Sequence, residues 1–226
     1  MNTTTANFTL LDLKTVKSLV RQGEGLHIEF KLKTNHPEKI VREIAAFANT
    51  EGGKLFIGVS DSKELIGLKY SDEDDFLLSR AIERNISPEI NYDLQRVRLE
   101  NGKEILVYDV KPSTNKPHYV KIDELTSKVY VRVADRSIQA SKEVREVLKG
   151  EKKNRNIKFH FGDKERLLMQ HLHTFQQITL EEFSQIANIP PRVASRTLVL
   201  LTLANVLKIQ PNEEGDFYSM VEPDDK

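Results

Sequence analysis

The 226-residue chain contains no cysteine, and no apolar run in it approaches the ~20 residues that a membrane-crossing helix needs. The first absence excludes disulfides and thiolate zinc sites, and fits a reducing cytoplasm. The second excludes an α-helical membrane span. Nor is there an excess of either charge: 34 Lys and Arg stand against 34 Asp and Glu, so the formal net charge is zero. A generic nucleic-acid coat is therefore not expected, although local patches stay open. The opening MNTTTANFTLLDLK lacks a basic region followed by an apolar core, so no secretory signal is expected. What remains, 38% hydrophobic and 30% charged residues, suits a globular protein of one large domain, or a main domain with a small appendage.

Local charge does separate. The run KGEKKNRNIKFH, from Lys149 to His160, holds five basic residues and one acidic, whereas the C-terminal PNEEGDFYSMVEPDDK is acidic. A basic run of this kind reads first as a solvated linker, here 150–160.

Before the linker, hydrophobic spacing predicts a helix over Leu10 to Arg21, then an alternating strand over Leu26 to Leu32. In that strand Leu26, Ile28, Phe30 and Leu32 face one way, and His27, Glu29 and Lys31 the other. Ile40, Ile44 and Phe47 recur at helical spacing, and Asn49 can end that helix before the Gly52-Gly53 reversal. A buried strand over Lys54 to Val59 follows, with Gly58 marking a close backbone approach. A helix over Asp72 to Arg84 stops before Ser87-Pro88. Asn91 to Leu99 and Glu104 to Val110 read as a hairpin across Asn101-Gly102, His118 to Ile122 and Lys128 to Val133 as two more strands, and Ser141 to Leu148 as a closing helix. The expected fold is α+β, a mixed sheet of five or six strands with flanking helices over 8–149.

Beyond the linker, 161–222 reads as a small winged helix-turn-helix. Helices are expected over Asp163 to Phe175, over Leu180 to Ala187 behind the capping pair Thr179 and Glu182, and over Arg192 to Asn205. Two wing strands, Val206 to Pro211 and Phe217 to Val221, complete it.

Packing explains the apolar residues around Phe47 but not the whole string Ala46-Phe47-Ala48-Asn49-Thr50, Gly52-Gly53 and Ile57-Gly58-Val59 with Asp61. With Glu24 and Glu29-Phe30-Lys31 upstream, this string resembles the AlbA_2 (Schlafen AlbA-like) family. Ile66-Gly67, Ile86-Ser87-Pro88, Val110 to Ser113, Lys116-Pro117 and Tyr130 to Val133 extend the resemblance in order, from about Leu10 to Lys149. It implies the family's fold and a role connected with nucleic acids, without settling a reaction.

Two constellations carry the functional expectations. The first is the early part of the third winged-helix segment. There Arg192, Ser195, Arg196 and Thr197 are expected to face a DNA major groove, with no acid between Pro190 and Gln210 to repel phosphate. Lys152, Lys153 and Arg155 of the linker would add backbone contacts, and Lys31, Lys33, Arg132 and Arg136 would contact nucleic acid from the first domain. The second is acidic. The resemblance implies that Glu24, Glu29 and Asp61 match a metal-dependent ribonuclease site of eukaryotic Schlafen proteins, where Mg²⁺ or Mn²⁺ would activate water. The bland alternative is that Asp61 begins a turn and that Glu29 serves the fold, paired with Lys31 or Arg132. No G-x-x-x-x-G-K-[ST] phosphate loop is present, since Gly53-Lys54 runs into Leu55 and Gly102-Lys103 into Glu104. His171 and His173 do not share a helix face. The leading expectation is a cytoplasmic DNA-binding transcriptional regulator, possible as a homo-oligomer and with no firm cofactor. A metal-dependent RNA endonuclease and a non-catalytic partner-binding module are the alternatives.

Overall fold

The computed structural model describes residues 11–151 and 161–222. Helix α1 (Leu13–Gln22) opens the chain, capped by Asp12, whose carboxylate accepts from the Thr15 amide. Strand β1 (Ile28–Lys31), helix α2 (Pro37–Asn49) and strand β2 (Gly53–Ile57) follow, then α3 (Ser71–Asn85), the two-residue β3 (Ile86–Ser87), β4 (Tyr92–Arg98) and β5 (Glu104–Val110). Strands β6 (Tyr119–Lys121), β7 (Ser127–Val133) and β8 (Arg136–Gln139) lead into α4 (Lys142–Glu151).

These elements make two four-stranded sheets with α2 between them. In the first, ordered β1-β2-β5-β4, β1 and β2 are parallel and the other neighbours antiparallel. The second, β3-β6-β7-β8, is antiparallel throughout. Val16 and Val20 of α1 cover one face of the first sheet through Ile28, Phe30, Phe56 and Val107. The other face, through Leu55, Ile57, Leu106 and Tyr108, packs on α2 and α3. A helix enclosed by two sheets must be apolar nearly all round, and α2 buries Ile40, Val41, Ile44 and every residue from Ala45 to Asn49. Its three alanines let the sheets approach closely. On the far side of the second sheet, Val129, Val131 and Ile138 pack on Val144 and Leu148 of α4.

The glycine pair after α2 has two separate reasons. Gly52 holds φ +80°, and a β-carbon on Gly53 would stand 2.4 Å from the Phe47 ring. Tight reversal and ring contact together account for the GG that follows the helix.

The C-terminal unit comprises α5 (Asp163–Phe175), the two-residue β9 (Gln177–Ile178), α6 (Leu180–Ile186), α7 (Pro191–Leu203), β10 (Leu207–Gln210) and β11 (Phe217–Met220). Three helices and the antiparallel hairpin β10-β11 follow in the expected order, with β9 added as a third strand on β11. Thr179 and Glu182 form the capping box at α6. Leu168, Leu172, Phe183, Leu198, Leu201 and Tyr218 give this unit its own core.

Three differences from the sequence reading stand out. Strands β3, β8 and β9 were not expected; all are short, and the turn before β8 has Ala134 at φ +53°. Helix α4 runs through Glu151, so 150 and 151 are helical and not linker. The two units also touch: Gly150 lies so close to Leu203 that a β-carbon there would stand 2.5 Å from the leucine side chain. Among the described residues no helix is long and apolar enough to cross a membrane.

Candidate nucleic-acid interface and the carboxylate cluster

The alternation of β1 sends Glu29 away from α1 and into the space between the first sheet and α2. It is 5% exposed there, one of the few charged residues so deeply placed. Strand β7 alternates too, so that Val131 faces α4 and Arg132 faces α2. The Arg132 side chain is fully buried. Its Nη1 donates to Glu29 (2.8 Å) and to Glu43 (2.7 Å), and its Nη2 donates to the carbonyls of Gly25 (2.7 Å) and Ile28 (3.4 Å). The guanidinium lies 4.9 Å from the Phe47 ring centroid. Lys31 donates to the other oxygen of Glu29, and Ser137 donates to Glu43. Burial, with Glu29 nearby, holds the Glu43 carboxyl above its ordinary value despite Ser137 and Arg132. Glu43 was not singled out from the sequence. Its one signal is an acid directly before the apolar run Ile44 to Ala48, near the end of the helix that is buried all round, where a charge needs a partner.

Glu24 stands beside this network. Its Oε1 accepts from the Phe30 amide (2.9 Å), while burial and then the Glu29 carboxylate push its pKa up. Asp61, by contrast, is exposed, in the turn where the Lys63 amide bonds the Ser60 carbonyl (2.9 Å), and its side chain has no partner among the described residues. Among those residues no three His, Cys, Asp or Glu side chains are grouped to hold a metal ion. Both Glu29 oxygens are occupied by cations of the protein, and Asp61 does not join the pair. As donors, Glu24, Glu29 and Asp61 do not fit a divalent ion.

The Asn49-Thr50 step has a structural task. Asn49 is buried at the end of α2, and its Nδ2 donates to the carbonyls of His118 (3.0 Å) and Tyr130 (2.9 Å). Its Oδ1 accepts from the His118 amide (2.7 Å). Thr50 donates to Ala46 O (2.8 Å) and accepts from the Arg132 amide (2.9 Å). Thus Asn49 does not merely end the helix; it fastens α2 to the second sheet. His118 is fully enclosed, with Nδ1 at 2.7 Å from Pro88 O, and burial lowers its pKa.

The basic candidates divide sharply. Arg132 requires correction, because its fully buried guanidinium faces two glutamates and offers nothing to an external phosphate. Lys31 is bound to Glu29, and exposed Arg136 lies 3.6 Å from Glu213. Lys33 is exposed and has no ion pair among the described residues. Lys152, Lys153 and Arg155 lie outside the described residues.

On α7, Arg192, Val193 and Arg196 are exposed, and neither arginine has an ion pair among the described residues. Ser195 and Thr197 need correction: each is only 7% exposed, and Ser195 donates its hydroxyl to Glu143 of α4. Ser195 and Leu203 both reach α4, at Glu143 and at Gly150. Successive residues are about 100° apart, which sets Thr197 on the core side with Ala194 and Leu201. Asp216, just before β11, accepts from Ser141 and adds a second contact between the units, and burial raises its pKa.

Two solved structures resemble part of the chain. One is the DIP2311 protein from Corynebacterium diphtheriae, at 21% identity and TM-score 0.41, covering 54% of this chain and 26% of that one. The other is the N-terminal domain of an ATP-dependent DNA helicase RecG-related protein from Nitrosomonas europaea, at 24% identity and TM-score 0.40, covering 52% of this chain and 88% of that one. The model of the Schlafen, AlbA_2 family matches residues 24–141, from Glu24 through the Asn49-Thr50 fastening and the buried Arg132 to the foot of α4. With over half of its length matched, this chain belongs to the Schlafen AlbA_2 family.

Proposed function

We propose that the protein is a DNA-binding transcriptional regulator, in which the AlbA_2 core carries a winged helix whose α7 enters the major groove. The family is associated with nucleic acids in general; DNA as the ligand and regulation as the role are the finer reading. One observation carries it. Arg192 and Arg196 stand one turn apart in the first half of α7, exposed, without ion pairs among the described residues and with no acid on their own helix. Arginines so placed suit phosphate and guanine, and the first turns of a recognition helix are the part that reaches base edges. The contact ridge is narrower than the sequence suggests, running through Arg192, Val193 and Arg196, because α4 covers the Ser195 side.

Ribonuclease action is the weaker reading, since Glu29 is committed to Arg132 and Lys31 and Asp61 stands apart. The test is fluorescence anisotropy on duplex DNA and on a hairpin RNA of equal length. Wild type and the Arg192→Ala, Arg196→Ala double variant are compared, each with and without Mg²⁺ or Mn²⁺. Wild type should bind duplex DNA, the double variant should bind it at least tenfold more weakly, and neither ion should produce cleavage. Equal affinity of the two proteins would remove α7 as the reader. Metal-dependent cleavage of the hairpin lost on Glu29→Gln would reverse the ranking.

A further inference from the structure

Helix α3 is half finished as a packed element. Leu78, Ala81 and Ile82 are buried against α2 and the first sheet, yet on the opposite side Phe76 is 64% exposed and Leu77 51% exposed. Apolar side chains this open on a helix mark a surface that meets something. They flank a groove of about 440 Å³ running between α3 and the start of α2, floored by Ala81 and edged by Pro37.

The charges around these two residues indicate what fills it. Glu73, Phe76, Leu77, Arg80 and Arg84 follow the i, i+3, i+4, i+7, i+11 spacing and so share one stripe. The stripe is acidic at its start, apolar in the middle and basic at its end. The other acids of the first turn are already engaged: Asp72 and Asp75 with Arg96 of β4, and Asp74 with Thr34. Glu73 and Arg84 are exposed and have no side-chain partner among the described residues. Arg80 makes only an exposed i,i+3 pair with Glu83 and lies over the Phe76 ring.

A stripe reading acid, apolar, base is complementary to itself when reversed. We propose that α3 is a homodimerisation surface, on which a second copy of this chain packs its own α3 antiparallel about a twofold axis near residues 78 and 79. Each Glu73 then meets Arg84 of the second copy, and each Leu77 lies under the stem of Arg80 of the second copy. Each Phe76 enters the groove beside Ala81. A twofold interface requires that if one position contacts another, the reverse contact also holds, and pairs summing to the same number satisfy this. Residues 73 with 84 and 77 with 80 do so.

One helix and a groove make a small interface, in which charge sets register more than affinity. Sedimentation velocity on the full chain tests the proposal. Wild type should reach twice the monomer mass at concentrations up to about 100 μM, within the range of small transient interfaces. Glu73→Arg and Arg84→Glu should each remain monomeric there, since each sets like charges against one another at both ends of the pair. Mixing the two variants should restore the dimer, because the arginine introduced in one chain then faces the glutamate introduced in the other, while the native Glu73 and Arg84 meet at the opposite end. Phe76→Ser should be monomeric with an unchanged circular dichroism spectrum. A wild-type monomer across this range would overturn the proposal, as would variants that stay dimeric or a mixture that stays monomeric.

Discussion

Replacing Arg132 by methionine probes the centre of the AlbA_2 core. The substitution keeps about the length of the aliphatic stem and removes the buried guanidinium beyond it, with its bonds to Glu29, Glu43 and the carbonyls of Gly25 and Ile28. Two carboxylates are left facing each other away from water, with only Lys31 and Ser137 beside them. Removing one partner of a buried ion pair costs about 3–5 kcal/mol, which for a chain of this size lowers Tm by roughly 6–20 °C. Arg132→Lys should recover only part of the loss, since one ammonium cannot span acceptors arranged for a fork. The deficit should also depend on pH. Glu43 already has a raised folded-state pKa, so its protonation favours the fold fully below its ordinary 4.5, and that contribution is lost as pH rises through the folded value. Without Arg132, which lowers that pKa, the folded value moves higher and the carboxylate is costlier at neutral pH. Thermal melts followed by circular dichroism should therefore show the largest gap between wild type and variant at about pH 7 and a smaller one at about pH 4. A loss below about 2 °C, or a gap unchanged between the two conditions, would refute the placement of Arg132 between two buried glutamates.

Asn49→Ala should cost about 3 kcal/mol or more in urea denaturation, because the His118 amide and two carbonyls lose their partner inside the core; a change under about 1 kcal/mol would mean that water replaces the side chain. Glu24→Gln keeps an acceptor for the Phe30 amide and removes a carboxylate whose pKa burial and Glu29 raise. It should raise Tm at neutral pH and leave it unchanged below the ordinary value of 4.5, where wild-type Glu24 is also neutral. A fragment from Phe161 to the C-terminus should remain helical, since it holds its own core, but should melt below the full chain because Leu203 and Ser195 lose α4.

Much of this fold is readable from periodicity. The strand alternation around Glu29, the helix through Phe47, the hairpin across Gly102 and the capping box at Thr179 all lie where local spacing and turn chemistry put them. The pairing of Glu29 with Lys31 and Arg132 was also within reach, because alternation sets all three on defined strand faces. What escaped depends on surfaces far apart in sequence. The pattern Lys128-Val-Tyr-Val-Arg-Val reads as a strand with a basic solvent face, and only α2, packed on that face, makes Arg132 a core residue. Ser195 is likewise an ordinary exposed serine until α4 arrives beside it. The short strand β8 lacks the length for a periodic signal and forms because β7 offers it a free edge.

The central claim, that Arg192 and Arg196 of α7 contact DNA, meets its most direct test in the salt dependence of binding. Each phosphate neutralised by the protein contributes about 0.9 to the slope of log K against log salt concentration. If both arginines contact the backbone, the Arg192→Ala, Arg196→Ala variant should show a slope shallower than wild type by about 2 units, with an unchanged melting temperature because both side chains are exposed. Parallel slopes for the two proteins, with equal affinity at every salt concentration, would contradict the account and place the DNA contact, if there is one, away from α7.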